Sequence, residues 1–305
     1  MTQKEFFKAT KFETICDCKR YLRMMLELYA DLINRGEEQE AATSMERDIR
    51  LWMQTMYSKG DSFLQLLDGS GYQKPGKNGR AVLDTPALLA IVRTMYESMA
   101  AFDMLFVVPE TRDQREMLYS LFVAWGQTER LRLPTKIRRD VTPQGPEDAE
   151  AEIAACRDRI TENPAFKKLG NETQEAVLKD FGRWWMYRFD GIKRLEKVTM
   201  DDADRVMLMC KTSIMGDYTY LGELIHPSYL CLCQHSDQNK LRLRIDSKIA
   251  VHASECAAAF MSIFIVDFML LNRRARDYFA TLDDLHRRAI TMYEHALRSR
   301  REHMQ

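Results

Sequence analysis

Apolar side chains recur at intervals of three and four residues through most of this chain, which is the pattern of amphipathic α-helices. Segments 10–34 and 38–59 each carry one apolar stripe, and Arg35-Gly36 between them has the composition of a helix stop. Further helices are predicted at 85–107, 111–131, 147–162, 171–189, 200–215, 217–225, 247–272 and 281–302. The sequence therefore predicts an all-α fold, a multi-helix bundle or array.

One passage departs from helical spacing. Residues 229–235 and 240–246 alternate apolar and polar side chains on either side of a polar turn. Alternation with a period of two is typical of a strand that is buried on one face. We therefore expect one small β-hairpin near residues 229–246.

Glycine and proline mark the predicted boundaries. The Gly-rich stretch 68–79 lacks the Gly-Lys-Ser/Thr ending of a phosphate-binding loop, and no apolar strand precedes it, so we interpret it as a plain loop. We predict an N-terminal helical hairpin with this loop, residues 1–83, packed on a main helical domain, residues 84–305. Three prolines and a basic cluster mark 134–148 as an excursion or linker.

Composition narrows the functional classes. The chain has 45 basic and 45 acidic residues, so it has no net field that would attract nucleic acid or acidic lipid, and only local patches could do so. Seven irregularly spaced cysteines favour reduced thiols and a cytoplasmic location. We expect no signal peptide. The apolar run 257–271 contains Asp267 and is shorter than a membrane span, which predicts a core helix.

Two polar constellations are candidates for a functional site. Arg93 and Glu97 lie four residues apart in an apolar segment, so they share one helix face. They are either an anion-binding arginine held by a carboxylate at the floor of a cleft or a structural ion pair that joins helices. His226 precedes Pro227, which places it at a helix C-terminus, where the helix dipole favours the imidazolium. It is either a proton-transfer group or a helix cap.

The two constellations together carry a resemblance. Arg93-Thr-Met-Tyr96-Glu97, followed by Tyr218-x-x-Leu-Gly-x-x-x-His226-Pro-Ser228, resembles a family of uncharacterised all-helical bacterial proteins. That family pairs an Arg-x-x-x-Glu helix with a Tyr-x-x-Leu-Ser-x-x-x-His-Pro-Ser element, and a glycine stands here in place of the first serine. In style it is similar to the HEPN group, helical bundles that include toxin-type ribonucleases and abortive-infection proteins.

The resemblance implies candidate residues by position. His226, Arg93 and Glu97 would be catalytic, and Tyr218, Ser228 and Tyr96 would bind the ligand. HEPN ribonucleases carry an arginine followed after four to six residues by a histidine on one helix. In this chain that spacing occurs at Arg288 to His295 and at Arg298 to His303, in a highly charged terminal helix.

Metal and nucleic-acid binding remain open alternatives. Cys231-x-Cys233-x-His235 would place three potential ligands on one face of a strand, but it lacks the two-residue gap and the matching second half of most zinc sites, so we expect no metal or cofactor. Basic segments would form a phosphate-tracking surface if they converge, or solvated faces if they do not. They lie at 130–132, 136–139, 240–244 and 298–301.

These observations lead to two functional hypotheses. The first is a helical binding or regulatory protein related to defence or stress, with RNA or a protein as partner and with homodimer formation left open. The second is a HEPN-like ribonuclease or phosphate-handling enzyme that uses His226 as acid or base and Arg93 for the phosphate charge. The second requires both side chains to meet in one water-filled cleft.

Overall fold

The computed structural model describes residues 2–37, 43–71, 81–134, 146–191, 194–197 and 242–297. This part of the chain is all-α with two small antiparallel hairpins, which confirms the predicted fold class. The helices are α1 (Gln3–Thr10), α2 (Ile15–Glu37), α3 (Ser44–Leu66), α4 (Thr85–Phe102), α5 (Arg112–Arg132), α6 (Pro146–Glu162), α7 (Pro164–Lys167), α8 (Asn171–Lys179), α9 (Arg242–Leu271), α10 (Arg273–Thr281) and α11 (Asp284–Leu297). The hairpins pair β1 (Ser70–Gly71) with β2 (Ala81–Val82), and β3 (Tyr187–Asp190) with β4 (Arg194–Lys197).

The described residues form two compact units. One unit contains those within 1–100 and 208–305, and the other contains those within 101–207. The boundary falls inside one continuous helical run, between Ala100 and Ala101. The division into 1–83 and 84–305 that we drew from the sequence stays a prediction.

Helix α9 contributes more buried apolar side chains to the first unit than any other helix that the structure describes. It contacts α2, α3, α10 and α11, and its side chains from Ala257 to Ile265 are almost all buried. A helix that is apolar on every side is stable in water only when other helices cover it. By length and composition Lys248–Leu271 is also long enough to cross a membrane, but 67% of its most apolar window is buried inside the structure. This burial is what a core helix shows.

Two buried tyrosines of α2 donate hydrogen bonds to backbone carbonyls of neighbouring helices. The Tyr29 hydroxyl on α2 donates to the carbonyl oxygen of Met261 on α9 at 2.8 Å, and the Tyr21 hydroxyl donates to that of Ala289 on α11 at 3.1 Å. Burial raises the pKa of both phenols, and it also raises the pKa of Tyr293, whose ring packs edge-on against Tyr21. Each hydroxyl thus stays protonated and remains a donor.

Gly60 allows α3 to approach α9 closely. A Cβ at this position would lie 3.0 Å from Cε of Met261 and 3.1 Å from Cδ2 of Leu26. Both neighbours are buried, so they have little room to move. The small residue in the middle of α3 therefore has a packing role.

Helix α4 begins as predicted, and its last turn changes type. The Asp84 side chain accepts a hydrogen bond from the amide of Ala87, which satisfies one of the donors left open at a helix start. After Phe102 the run continues as a π-helical turn, Asp103–Val107, closed by a bond from the Val108 amide to the Asp103 carbonyl at 2.9 Å. The predicted end near residue 107 is confirmed.

The second unit is built on α5 and α6, which pack against each other. Thr111 and Gln114 form a capping box at the start of α5, where the sequence predicted that a helix begins. The predicted helix 171–189 is wrong beyond Lys179, because the chain turns at Gly182 (φ 86°) and then forms β3. Aromatic residues at 184–187 suit a strand as well as a helix, and the positive φ at glycine favours the turn.

Four other predicted boundaries need correction. Residues 3–10 form a separate helix, α2 continues through Gly36, and α3 extends to Leu66, beyond its predicted end at residue 59. Residues 242–246, predicted as the second strand of a hairpin, are helical and open α9. Leucine and arginine both favour helices. A strand-like alternation over five residues therefore did not prevent this segment from joining the long apolar helix beside it. Residues 229–235 lie outside the described part.

We expect Gly60→Val to destabilise the protein by about 1–3 kcal/mol, because the added methyl groups would overpack the contact with α9. Urea denaturation of both proteins measures the difference. The matched control is Gly126→Val on α5, where a Cβ would meet nothing within 4 Å. The control should be neutral or slightly stabilising, since valine is a better helix former than glycine. Equal effects at both sites would contradict this account of Gly60.

We expect stability to fall above about pH 10, where tyrosines of the unfolded chain ionise and the buried ones do not. A raised native pKa contributes stability below the unfolded pKa, and this stability is lost as the pH rises. In this range each such tyrosine lowers the free energy of unfolding by about 1.4 kcal/mol for every pH unit of increase. Tyr29→Phe should reduce the slope of unfolding free energy between about pH 10 and 11 by that amount. An unchanged slope would show that Tyr29 ionises normally.

Candidate functional site

The predicted pair on α4 is formed. Nε of Arg93 lies 3.1 Å from Oε1 of Glu97, one helical turn away. The apolar positions of α4 are buried on the other side, and they include Leu88, Leu89, Val92, Met95 and Met99. The sequence therefore placed the two charges correctly on one face.

That face is not buried. The exposed side-chain fractions are 25% for Arg93 and 41% for Glu97, and Thr94 is also exposed. Small residues and polar groups on this face of α4 form a strip that water reaches. An ion pair in such a place contributes little to stability.

Lys59 on α3 joins this strip, although it was not among the site residues predicted from the sequence. Its ammonium donates to the carbonyl oxygen of Thr94 at 2.8 Å and to the Ser98 hydroxyl. Burial lowers the pKa of Lys59, and the negative charge of Glu97 acts in the opposite direction. A lysine between Met56 and Phe63, at the edge of an apolar stripe, was the available signal. We call Lys59, Arg93, Thr94, Glu97 and Ser98 the α4 polar patch.

Tyr96 points the other way. It is 3% exposed, and its ring packs with its centroid 5.6 Å from that of Phe260 on α9. In the described structure its ring is part of the core. The ligand-binding role implied by the resemblance stays a prediction.

The other half of the predicted site lies outside the described residues. This applies to His226, Tyr218 and Ser228, and to the Cys231, Cys233 and His235 group. The structure therefore brings together Arg93 and Glu97 and adds Lys59 and Ser98. The meeting of Arg93 with His226 stays a prediction.

No group of three or more His, Cys, Asp or Glu side chains suited to a metal ion occurs among the residues that the structure describes. Cys16 and Cys18 on α2 are free thiols, the first exposed and the second buried. Burial raises the pKa of Cys18, so its thiol is a poor nucleophile and a poor metal ligand at neutral pH.

The basic segments and the HEPN-type spacing are described only in part. Arg132 pairs with Glu129 at 2.5 Å, and Arg130 contacts Gln127 at 3.1 Å. On α11, Arg288 lies 3.5 Å from Asp284 and stacks over the Phe6 ring at 4.5 Å. His295 is exposed and lies 3.3 Å from Glu294. Convergence of the basic segments into one surface and their dispersal as solvated faces both stay hypotheses.

Comparison with known proteins identifies no relative: no protein-family model, no curated protein and no solved structure matches this chain.

A double-mutant cycle on Arg93 and Glu97 tests whether the pair is structural. We expect a coupling free energy of about 0.3–0.5 kcal/mol, as for other solvent-reached pairs one helical turn apart. The reference pair is Arg112 and Glu116 on α5, which has the same spacing and an Nε–Oε1 distance of 2.7 Å. Urea denaturation of the four proteins in each cycle gives both values. A coupling of several kcal/mol at Arg93 alone would identify a structural ion pair.

Proposed function

We propose that this chain is a helical binding or regulatory protein whose α4 polar patch contacts an anionic partner. The observation that carries the proposal is that two cations, Arg93 and Lys59, are both held by groups of α4 on a strip that water reaches. Glu97 fixes the guanidinium, and the Thr94 carbonyl fixes the ammonium. Side chains that are already ordered lose little entropy when a ligand binds.

The partner that we test first is RNA. Its phosphates supply negative charge at regular intervals, and a neutral protein can bind them only through local cationic groups of this kind. A role in defence or stress rests on the family resemblance alone, and we propose it on that basis.

The ribonuclease hypothesis is the second candidate. One observation favours it: the Arg93 guanidinium is accessible to water, as a group that stabilises a phosphate in a transition state must be. In this mechanism His226 would transfer the proton while Arg93 bound the phosphate. Lys59, with its lowered pKa, would add a second cation beside the first.

One experiment separates the two candidates. Labelled single-stranded RNA is incubated with the wild-type chain and with Arg93→Gln, Arg112→Gln and His226→Ala variants, and both binding and cleavage are followed. For a binding protein we expect uncleaved RNA and an affinity that falls about tenfold in Arg93→Gln, because a charged hydrogen bond is lost. Arg112→Gln removes the same charge from an exposed pair elsewhere and should bind like the wild type.

Cleavage that disappears in His226→Ala would favour the enzyme and reject the purely binding role. Equal cleavage by both proteins would indicate contamination and reject the ribonuclease hypothesis. If the wild type does not bind RNA, or if both arginine variants lose affinity equally, then RNA is not the partner of the α4 polar patch.

A further inference from the structure

Three arginines line one shallow groove of the first unit, away from the residues of the α4 polar patch. Arg35 comes from the end of α2, Arg50 from α3 and Arg274 from the first turn of α10. The remaining lining residues are Leu32, Asn272, Ala275 and Tyr278. Residues distant in sequence thus bring three positive charges together in a protein whose net charge is zero.

The groove is ordered by contacts around Tyr278. Its hydroxyl donates to Oδ2 of Asp31 at 2.6 Å, and the Arg35 guanidinium stacks over its ring at 4.1 Å from the centroid. Burial and the Asp31 carboxylate raise the pKa of Tyr278, so its hydroxyl remains a donor. The planar Arg35 group is therefore held in place by a ring that is itself fixed.

The positive charges at the start of α10 interact unfavourably with the helix dipole unless an anion lies beside them. Its first turn contains no acidic residue, although Arg273, Arg274 and Arg276 all lie near its N-terminus. The positive end of a helix dipole favours anions and opposes cations. Asn272 caps the helix by accepting a hydrogen bond from the Ala275 amide, and it does not neutralise these charges. An anion in the groove would be stabilised by the arginines and by the helix end together.

The size of the groove limits what it can hold. It encloses room for about one water molecule and is otherwise open to solvent. It can therefore seat the oxygens on one face of an oxyanion, while the rest of the ligand stays outside. Guanidinium groups match the geometry of phosphate oxygens, and a phosphate monoester carries close to two negative charges at neutral pH.

We propose that the groove lined by Arg35, Arg50 and Arg274 binds the phosphate group of a small phosphorylated molecule. The site is independent of the function proposed for the α4 polar patch.

The test is calorimetric titration with inorganic phosphate and with phenyl phosphate, at an ionic strength held constant with chloride. The proteins are the wild type, Arg274→Gln, Arg50→Gln and the control Arg273→Gln. Arg273 precedes Arg274 on the same helix, is 86% exposed and does not line the groove. All substituted side chains lie at or near the surface, so the variants should fold.

We expect saturable binding of both ligands by the wild type, a loss of affinity of about tenfold in Arg274→Gln and Arg50→Gln, and a change of less than about threefold in the control. The melting temperature of the wild type should also rise with phosphate, since a ligand that binds the native state stabilises it. That rise should persist in Arg273→Gln and disappear in Arg274→Gln.

Three results would overturn the proposal. The first is the absence of saturable binding by the wild type at phosphate concentrations up to about 10 mM. The second is an equal loss in Arg273→Gln and Arg274→Gln, which would mean that phosphate responds to general surface charge. Binding of inorganic phosphate without phenyl phosphate would exclude an esterified ligand and would also contradict the proposal.

Discussion

The burial of α9 is the constraint on which the first unit depends. Because this helix is apolar nearly all round from Ala257 to Met269, α2, α3 and α11 pack against it. The few polar side chains inside it are satisfied within the helix where the structure shows their bonds, as for Ser254 and Ser262, which donate to carbonyls four residues earlier. Tyr29 adds a bond from outside, to the carbonyl of Met261. Hydrophobic burial thus determines which helices pack against α9, and the hydrogen bonds fix their positions along it.

That packing also positions the α4 polar patch. Gly60 lets α3 lie against Met261, and Lys59 is the preceding residue on the same helix. Successive residues of an α-helix point about 100° apart, so Lys59 faces away from α9 and reaches the Thr94 carbonyl. The position of this ammonium is therefore a consequence of core packing, although the residue itself lies at the edge of the core.

The residues that could be predicted from sequence are those whose partners are close along the chain. The start of α4 beside Asp84 and the Arg93–Glu97 pair both depend on residues three or four positions apart. Helix ends that depend on tertiary contacts were less predictable. Gly36 did not end α2, because glycine permits a left-handed cap and does not force one. The predicted helix was wrong at residues 184–190 because their aromatic side chains fit both a helical and an alternating pattern.

Lys59 and the arginine groove could not be found in this way, since each depends on residues from different helices. The same limit explains how a neutral chain can hold anion sites. At physiological ionic strength charges more than about 8 Å apart are largely screened, so the balance of 45 acidic and 45 basic residues says little about any one place. What matters is which helices the core brings together. Packing on α9 joins the end of α2 to the start of α10, and it thereby gathers guanidinium groups that the sequence keeps more than two hundred residues apart.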